Sequence, residues 1–253
     1  MIIFDPKTPN KYNFLKKLIY PYSTNFTKKR LGNNRDGGYI YLKELFDQSS
    51  IVYSYGIDHH PSAISFDLQC AEEGKSVYMY DGTIEECPLE NEKFLFKKEN
   101  LYKGGLKKHI EENNHGEESN MVLKMDIEGS EYEVVCSDIE VISNHFNQIG
   151  IEVHNLIEES VDDSGVSEEN KLIKKDHELK KIFFERLLEY YNIVHIHANN
   201  HSPRYVDFPE TIELTLLRKD YEFNGIDKTR YPIANLDYPN SNHLDDYVLD
   251  WWV

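Results

Sequence analysis

The chain has 253 residues, and its 40% hydrophobic and 13% aromatic content excludes an intrinsically disordered protein. Its 28 basic residues stand against 45 acidic ones, and the net charge of -17 argues against nucleic acid or an anionic membrane surface as a partner. The three cysteines, Cys70, Cys87 and Cys136, lack metal-type spacing and are too few for a disulfide scaffold, which favours a reducing cytoplasm.

Short β-rich runs alternate with helical stretches, a pattern typical of a parallel sheet covered by helices on both faces. Residues 51–57 are the first predicted strand, and the apolar spacing in residues 63–71 predicts a helix. Residues 76–80 are a second predicted strand. A third covers residues 93–101, whose Lys and Glu residues favour a position near a sheet edge.

The same alternation continues through the middle of the chain. A helix is predicted over about residues 106–113, and a fourth strand over residues 121–125 is followed by another helical pattern. Residues 148–153 are a fifth predicted strand. A polar, acidic insertion then precedes a further helical pattern over residues 179–190.

The last two predicted strands, residues 193–197 and 211–217, have only a polar loop between them, which predicts an antiparallel pair. The seven strands together describe an α/β fold with a doubly wound sheet that has an antiparallel edge. We predict an N-terminal helical extension over residues 1–29, a main domain over residues 30–220 and an irregular tail over residues 221–253. The aromatic end of the tail should pack on the body or on another subunit of a homo-oligomer.

The sequence predicts neither a signal peptide nor a membrane helix. Residues 1–22 mix Asp, Lys and Pro with apolar residues and therefore lack the continuous core of a signal peptide. No later segment approaches the ~18 consecutive apolar residues of a membrane helix. The sequence therefore predicts a soluble, cytoplasmic protein without a membrane span.

Ligands of an open parallel sheet bind beyond the carboxyl ends of its strands, near the point where the strand order reverses. Gly56 would let the backbone approach a ligand, and Asp81 is placed to accept hydrogen bonds from ribose hydroxyls. A plain turn and an Asx turn are the alternatives for these two residues, and the first turn lacks the G-x-G-x-x-G pattern of a dinucleotide site. Acidic, imidazole and amide side chains follow the strands at this edge: Asp58, Asp81, Asp126, Glu128, Glu152, His154, His197, Asn199 and Asn200.

Six motifs in a fixed order carry a family resemblance. The first three are Arg30-Leu31-Gly32 with Asp36-Gly37-Gly38-Tyr39, Ser54-Tyr55-Gly56-Ile57 with Ser65-Phe66-Asp67, and Leu123-Lys124-Met125-Asp126-Ile127-Glu128-Gly129-Ser130-Glu131. The others are Gly150-Ile151-Glu152-Val153-His154, His197-Ala198-Asn199-Asn200 and Pro209-Glu210-Thr211-Ile212-Glu213-Leu214-Thr215. Across roughly residues 30–220, the chain resembles the FkbM-type S-adenosylmethionine (SAM)-dependent methyltransferases.

This resemblance implies a class I, Rossmann-like methyltransferase fold of seven strands with the last one antiparallel. It also implies transfer of a methyl group from SAM to a hydroxyl, often that of a sugar, and a nucleotide-activated sugar in capsule or surface polysaccharide biosynthesis is the expected substrate. Around the predicted strand ends, the expected cofactor residues are Ser54, Gly56, Ile57, Asp58, Asp81 and Asp126. The expected substrate residues are Asp36, Tyr39, Glu128, Asn199, Asn200 and Arg204.

Methyl transfer to a hydroxyl is an in-line displacement that needs a base for the hydroxyl proton. His154 is the leading candidate because it ends a strand two residues after Glu152 and therefore lies on the same side of that strand. His197 is the second candidate, and Asp126 and Glu152 complete the predicted catalytic group. A hydrogen-bonded structural role is the alternative for either histidine.

A divalent cation that lowers the pKa of the hydroxyl is another way to remove the proton. Asp126, Glu152 and His154, with Glu128 and Asn199 nearby in the motifs, could bind Mg²⁺ or Mn²⁺. Alternatively, Glu128 caps the following helix and Asp126 contacts only the cofactor.

Several other functions stay open. Arg30 or Arg35 is a candidate for binding a carboxylate of the substrate or cofactor, with a surface-loop role as the alternative. The same fold could methylate a small non-sugar hydroxyl or an amine, or act as an inactive sugar- or nucleotide-binding module. A metal-dependent hydrolase is disfavoured because the H-E-x-x-H pattern is missing from the sequence and the ordered motifs resemble a methyltransferase family.

Overall fold

A computed structural model describes residues 13–60, 63–157, 168–202, 204–205 and 208–253. The strands are β1 (Lys28–Leu31), β2 (Tyr39–Leu42), β3 (Ile51–Tyr55), β4 (Ser76–Tyr80), β5 (Phe94–Lys97), β6 (Met121–Met125), β7 (Phe146–Val153), β8 (Tyr191–Ala198), β9 (Arg204–Tyr205), β10 (Phe208–Pro209) and β11 (Ile212–Arg218). The helices are α1 (Asn13–Leu18), α2 (Lys43–Gln48), α3 (Ser65–Glu72), α4 (Gly105–Glu112), α5 (Glu131–His145) and α6 (Glu168–Tyr190). The first part of the predicted acidic insertion falls on residues 158–167, outside the described residues.

The centre of the molecule is a seven-stranded sheet in the order β5-β4-β3-β6-β7-β11-β8. Strands β3 to β7 pair in parallel, and β11 runs antiparallel to both β7 and β8. The chain moves outward from β3 to β5 and then returns to β6, so the strand order reverses between β3 and β6. The predicted doubly wound, Rossmann-like sheet of seven strands with an antiparallel last strand is confirmed.

The predicted antiparallel pair of the last two long strands is β8 with β11, and it forms one end of the sheet. β11 inserts between β7 and β8, which makes β8 the edge strand at that end. Six of the seven residues of β11 are buried, as expected for a strand that pairs on both sides. Sequence pattern shows that β8 and β11 pair with each other but does not show which of the two is the outer strand. At the opposite end, β5 is the edge strand, as its charged residues predicted.

Helices cover both faces of the sheet and bury one apolar cluster on each. On one face, α1, α4, α5 and α6 bury residues such as Leu15, Ile110 and Ile139 against the sheet. On the other face, α2 and α3 bury Phe46 and Phe66 together with the β1–β2 hairpin. The sequence predicted a helical extension over residues 1–29 but not this hairpin, which brings the hydroxyl of Tyr39 within 2.9 Å of Asp126.

Residues 221–253 run along the body of the molecule in turns and isolated bridges. Tyr231 and Leu249 form an antiparallel bridge, and both side chains are buried. The indole nitrogen of Trp251 donates a hydrogen bond of 2.8 Å to the carbonyl oxygen of Ile19. Within the part of the chain that the structure describes, no helix combines the length and apolar character needed to cross a membrane.

Candidate functional site

A cavity of about 650 Å³ opens at the carboxyl ends of β3, β4, β5 and β6. Small-molecule sites typically have volumes of roughly 300–1,000 Å³, and they favour the point where the strand order reverses. The wall therefore comes from the loops that follow these strands and from the turn of the β1–β2 hairpin. Its residues include Asp36, Tyr39, Gly56, Ile57, Asp58, Asp81, Ile84, Leu101, Lys124, Asp126 and Glu128.

Gly56 allows the loops after β3 and β6 to be in contact at the point where the strand order reverses. Its φ is 76°, in the left-handed region, and a Cβ at this position would lie only 1.5 Å from the carbonyl oxygen of Asp126. Only glycine allows the loop after β3 to lie this close to the loop after β6. The loop after β3, which contains predicted cofactor residues, is therefore in direct contact with the loop after β6, which contains the predicted catalytic residue Asp126.

Asp81, the predicted ribose ligand, follows β4 and lines the cavity. One carboxylate oxygen accepts a hydrogen bond from the backbone N–H of Ile57 at 3.0 Å. The other accepts bonds of 2.6 Å from both the backbone N–H and the hydroxyl of Thr83. These bonds hold the carboxylate in one orientation at the cavity wall, while its role toward ribose stays a prediction.

The predicted group of Asp126, Glu152 and His154 does come together in space. Their ligand atoms lie within 4.8 Å of one another. Nε2 of His154 is 3.7 Å from Asp126 and 3.9 Å from Glu152, and it is also 3.6 Å from the exposed carboxylate of Glu128. The hydroxyl of Tyr39 donates to Asp126 at 2.9 Å. The expectation that Glu152 and His154 share one side of β7 is confirmed.

Glu131, to which the sequence analysis gave no role, fixes the orientation of His154. Its side chain is fully buried at the start of α5, and one oxygen lies 3.0 Å from Nδ1 of His154. The same oxygen accepts a bond of 2.9 Å from the backbone N–H of Ile127. With Nδ1 held in this way, Nε2 is the imidazole nitrogen that faces the acidic cluster. In the sequence, Glu131 could be recognised only as an acidic residue at the first position of a predicted helix. Such residues usually stabilise the start of their own helix.

The cluster holds more negative than positive charge. Burial alone lowers the pKa of His154, but the hydrogen bond to Glu131 and the charges of Glu152, Glu131 and Asp126 outweigh it and raise that pKa to about 9. Burial, with the charges of Asp126 and Glu213, raises the pKa of Glu152 well above its usual range. At neutral pH the imidazole is therefore charged, and the site favours cationic groups.

Lys124 is the second site residue that the sequence analysis missed. It lies within β6, where all five residues are buried, and its side chain lines the cavity. Its ammonium group donates to the carbonyl oxygen of Gly56 and lies 3.5 Å from a carboxylate oxygen of Asp126. A single lysine inside an otherwise apolar strand was the available signal, since buried lysines are rare without a partner.

Six predicted residues are not part of the cavity wall: Ser54, Glu152, His154, His197, Asn199 and Asn200. Glu152 and His154 are close to the wall residue Asp126. His197 is buried, with its two ring nitrogens each 3.2 Å from a carboxylate, those of Glu213 and Asp246. Burial alone lowers its pKa, but these carboxylates raise it to about 10, so His197 is a charged structural residue rather than a base beside the cavity. Ser54 is fully buried within β3 and is not part of the cavity wall.

The loop after β8 also differs from its predicted role in substrate binding. The amide nitrogen of Asn199 donates to Glu152 at 2.7 Å, and its oxygen accepts from the backbone N–H of His201. Asn200 is buried and donates to the carbonyl oxygens of Ser241 and Leu244. Both asparagine side chains are therefore hydrogen-bonded within the protein. The side chain of Arg204 lies outside the described residues.

The remaining predicted residues lie at or near the cavity mouth. Asp36 and Glu128 are exposed and line the cavity, as expected for contacts with a substrate. Arg30, a candidate for binding a carboxylate, donates instead to the backbone carbonyls of Asn33, Arg35 and Leu236. Its guanidinium group therefore supports the hairpin turn.

No family model matches this chain, and no curated protein matches it. Among solved structures, the fibrillarin pre-rRNA processing protein of Methanococcus jannaschii is 13% identical over 69% of this chain and 68% of that one, with a TM-score of 0.39. A variant of the 16S rRNA (adenine(1408)-N(1))-methyltransferase of Catenulisporales acidiphilia, with cosubstrate SAM, is 11% identical over 78% of this chain and 100% of that one, with a TM-score of 0.36.

Bluetongue virus VP4, described as a multifunctional RNA-capping production line, is 14% identical over 57% of this chain and 24% of that one, with a TM-score of 0.35. Identities and TM-scores this low do not transfer an activity. The evidence for a function therefore comes from the cavity and its side chains.

Proposed function

We propose that this protein is a SAM-dependent O-methyltransferase that acts on a hydroxyl group of a sugar. The observation that carries the proposal is the cavity at the strand reversal point, whose wall contains Gly56, Asp81 and Asp126, with Glu152 and His154 close to Asp126. A donor would bind at the Gly56 and Asp81 end, and an acceptor hydroxyl would be deprotonated at the cluster.

The cavity suits the chemistry of SAM. Ile57, Ile84 and Leu101 offer apolar surface for an adenine ring, and the fixed carboxylate of Asp81 can accept hydrogen bonds from a ribose diol. Asp126, together with the acidic cluster beside it, favours the positive charge of a sulfonium and of an ammonium group. The size and the polarity of the wall therefore agree with this cofactor.

When bound, SAM supplies an electrophilic methyl group on a positively charged sulfur. His154 is the proposed base, with Nε2 as the atom that takes the hydroxyl proton. Glu131 keeps this nitrogen turned toward the cluster through its contact with Nδ1. His154 must lose its own proton before it can act. Because its pKa is raised to about 9, the neutral form is scarce at pH 7 and becomes abundant as the pH rises toward 9.

A sugar is the proposed acceptor because its hydroxyl groups can donate hydrogen bonds to the exposed carboxylates of Asp36 and Glu128 at the cavity mouth. A nucleotide-activated sugar adds a diphosphate, which the acidic wall repels unless a divalent cation accompanies it. Asp126, Glu152 and His154 are the residues that would hold Mg²⁺ or Mn²⁺, and such an ion would lower the pKa of a bound hydroxyl.

A second candidate function is methyl transfer to an amine. The acidic wall favours this acceptor because an amine that is protonated in solution is attracted to carboxylates. Assays that compare sugars with primary amines as acceptors distinguish the two functions.

The first test is calorimetric titration with S-adenosylhomocysteine. We expect the wild type to bind it and Asp81→Ala to lose at least about 10-fold in affinity, since a charged hydrogen-bond acceptor for the ribose is removed. Asp47→Ala is the matched control, because Asp47 is an exposed carboxylate paired with Lys43 and is not part of the cavity wall.

The second test measures methyl transfer to free and nucleotide-activated sugars, with and without Mg²⁺. Activity that His154→Ala abolishes while leaving S-adenosylhomocysteine binding intact would support the proposed roles. A folded wild type that binds neither SAM nor S-adenosylhomocysteine would contradict the proposal and favour a binding module.

A further inference from the structure

The charges around the cavity are distributed very unevenly. Among the described residues of its wall, Lys124 is the only lysine or arginine. His59 is the other group there that can carry a positive charge, and its side chain is 82% exposed on the loop after β3. The acidic residues of the wall are Asp36, Asp58, Asp81, Asp126 and Glu128.

This imbalance matters because the methionine part of SAM is a zwitterion. Its ammonium group has several candidate carboxylates in the wall, but its carboxylate needs a cation or backbone N–H groups. The sequence analysis offered Arg30 or Arg35 for such a carboxylate. Arg30 is committed to three backbone carbonyls, and neither arginine is part of the cavity wall.

Asp126 and the buried carboxyl group of Asp67 balance part of the charge of Lys124, whose ammonium group has three hydrogen-bond donors. Its ammonium group has one close partner, the carbonyl oxygen of Gly56. The carbonyl oxygen of Tyr55 lies farther away, at 3.3 Å, and it already accepts a hydrogen bond from the backbone N–H of Asp126. The nearest carboxylate oxygen, on Asp126, lies 3.5 Å away and also accepts the hydroxyl of Tyr39.

The position of Lys124 fits the middle of an extended cofactor. Gly56 and Asp81 mark the nucleoside end of the proposed site, and Asp126 begins the acidic cluster at the other end. Lys124 contacts both Gly56 and Asp126, so it lies between the two ends. The neighbouring charges of Lys124 and Asp126 are complementary to the carboxylate and ammonium groups of an amino acid.

We propose that Lys124 binds the carboxylate of the methionine part of SAM, with Asp126 available to its ammonium group. This inference rests on the proposed function and adds a residue that recognises one chemical group of the cofactor. Lys124 is therefore a binding residue that selects adenosyl ligands carrying an amino-acid carboxylate.

The test compares two ligands that differ by that one group. S-Adenosylhomocysteine carries both the carboxylate and the ammonium group, whereas its decarboxylated analogue, S-adenosyl-3-thiopropylamine, keeps the ammonium group alone. We expect the wild type to bind S-adenosylhomocysteine about 10- to 100-fold more tightly in calorimetric titration, the range of a charge-assisted hydrogen bond.

The variant Lys124→Met removes the charge and keeps most of the aliphatic side chain. We expect it to bind the two ligands with equal affinity and to keep the wild-type affinity for 5′-methylthioadenosine, which lacks both charged groups. Lys124→Arg should keep a preference for S-adenosylhomocysteine, because the positive charge remains.

Lys75→Met is the matched control. Lys75 is also buried, and its ammonium group donates to the carbonyl oxygens of Ser49 and Asp47, but it is not part of the cavity wall. This variant should retain the wild-type preference between the two ligands. A general effect of losing a buried lysine would instead change the binding of all ligands in both variants.

Three results would overturn the inference. Equal wild-type affinity for the two ligands overturns it, and this comparison needs no variant to fold. A preference that persists in Lys124→Met also overturns it, since another group then binds the carboxylate. If none of the three adenosyl ligands binds the folded wild type, the proposed function fails together with the inference, whereas binding of all three with equal affinity removes only the role of Lys124.

Discussion

At the scale of single residues, the site depends on a few side chains in positions that allow little substitution. Gly56 adopts a left-handed conformation against the Asp126 carbonyl, and Glu131 holds His154 from a fully buried position. The requirement at Gly56 is steric, and the requirement at Glu131 is electrostatic. Substitution of Gly56 should therefore change stability, whereas substitution of Glu131 should change a pKa.

Gly56→Ala should destabilise the protein and disrupt the cavity. A left-handed conformation costs an alanine roughly 1–2 kcal/mol, and the overlap with the Asp126 carbonyl forces the two loops apart, so we expect a total above about 3 kcal/mol. Gly74→Ala is the matched control, because Gly74 has a φ of 83° and no atom lies within 4 Å of the position that a Cβ would occupy there. Urea unfolding of both variants measures the difference, and equal losses would show that the loop contact is unimportant.

Glu131→Gln should lower the pKa of His154. In the wild type this pKa is raised to about 9, so the neutral base and the rate of methyl transfer should increase as the pH rises toward 9. Removing the Glu131 charge weakens the stabilisation of the imidazolium, and the rising limb of the kcat profile should move to lower pH. NMR titration of the His154 ring measures the same shift without any substrate.

The control for this experiment is Glu133→Gln, since Glu133 is exposed in the same first turn of α5. It should leave the titration of His154 close to that of the wild type. An unchanged His154 titration in Glu131→Gln would mean that Glu131 does not set the protonation state of the proposed base.

At the scale of elements, the C-terminal segment is attached to the sheet through buried histidine–carboxylate pairs. His195 in β8 lies 2.6 Å from Asp237, and His197 in the same strand lies 3.2 Å from Asp246. In the same segment, Asn240 donates to Glu213 in β11 and to Asp36 at the cavity mouth. The segment therefore supports one wall of the site from behind.

The stability of this attachment should depend on pH. The folded pKa of His197 is raised to about 10, above the value of about 6.5 for an unfolded histidine. Its contribution to stability is therefore complete below about pH 6.5 and is lost as the pH rises through about 10. His197→Gln should cost roughly 3 kcal/mol at pH 6 and much less near pH 10.

Urea unfolding at pH 6, 8 and 10 measures this difference between the wild type and His197→Gln. His243→Gln, an exposed histidine in the same segment, should change stability little at any of these pH values. A cost for His197→Gln that stays constant across the three pH values would contradict the assigned ion pairs.

At the scale of the whole molecule, electrostatics should separate the methyl donor from its product. The net charge of -17 and the acidic cavity wall both favour cations. SAM carries one more positive charge than S-adenosylhomocysteine. Under the proposed function, methyl transfer removes this positive charge from the cofactor. The product S-adenosylhomocysteine should therefore bind more weakly than SAM.

We therefore expect SAM to bind roughly 3- to 10-fold more tightly than S-adenosylhomocysteine at low salt, from one additional charge at about 5 Å. The ratio should fall as NaCl increases from 50 to 500 mM, because salt screens charges at an open cavity. Calorimetric titration of both ligands at each salt concentration measures it. A ratio of one at low salt, or tighter binding of the product, would contradict this effect of the acidic wall.

The sequence by itself determined the order and type of the main elements. It also determined that the candidate site lies at the carboxyl ends of the parallel strands. Strands such as β4 and β6 have local apolar patterns, and a polar residue directly after a strand must lie at its carboxyl end. For that reason Asp81, Asp126 and His154 were predicted at strand ends, and in the structure they directly follow β4, β6 and β7. The shared side of Glu152 and His154 follows from the two-residue period of a strand.

Only the tertiary structure decided which of these residues face the cavity. His197 meets Asp246, 49 positions later in the chain, and Asn200 meets Ser241 and Leu244, so their roles depend on where the C-terminal segment packs. Lys124 and Glu131 gained their roles from contacts with loops and strands distant in sequence. Burial and ion pairing arise from the packing of separate elements, and a local sequence pattern carries no information about which partners that packing brings together.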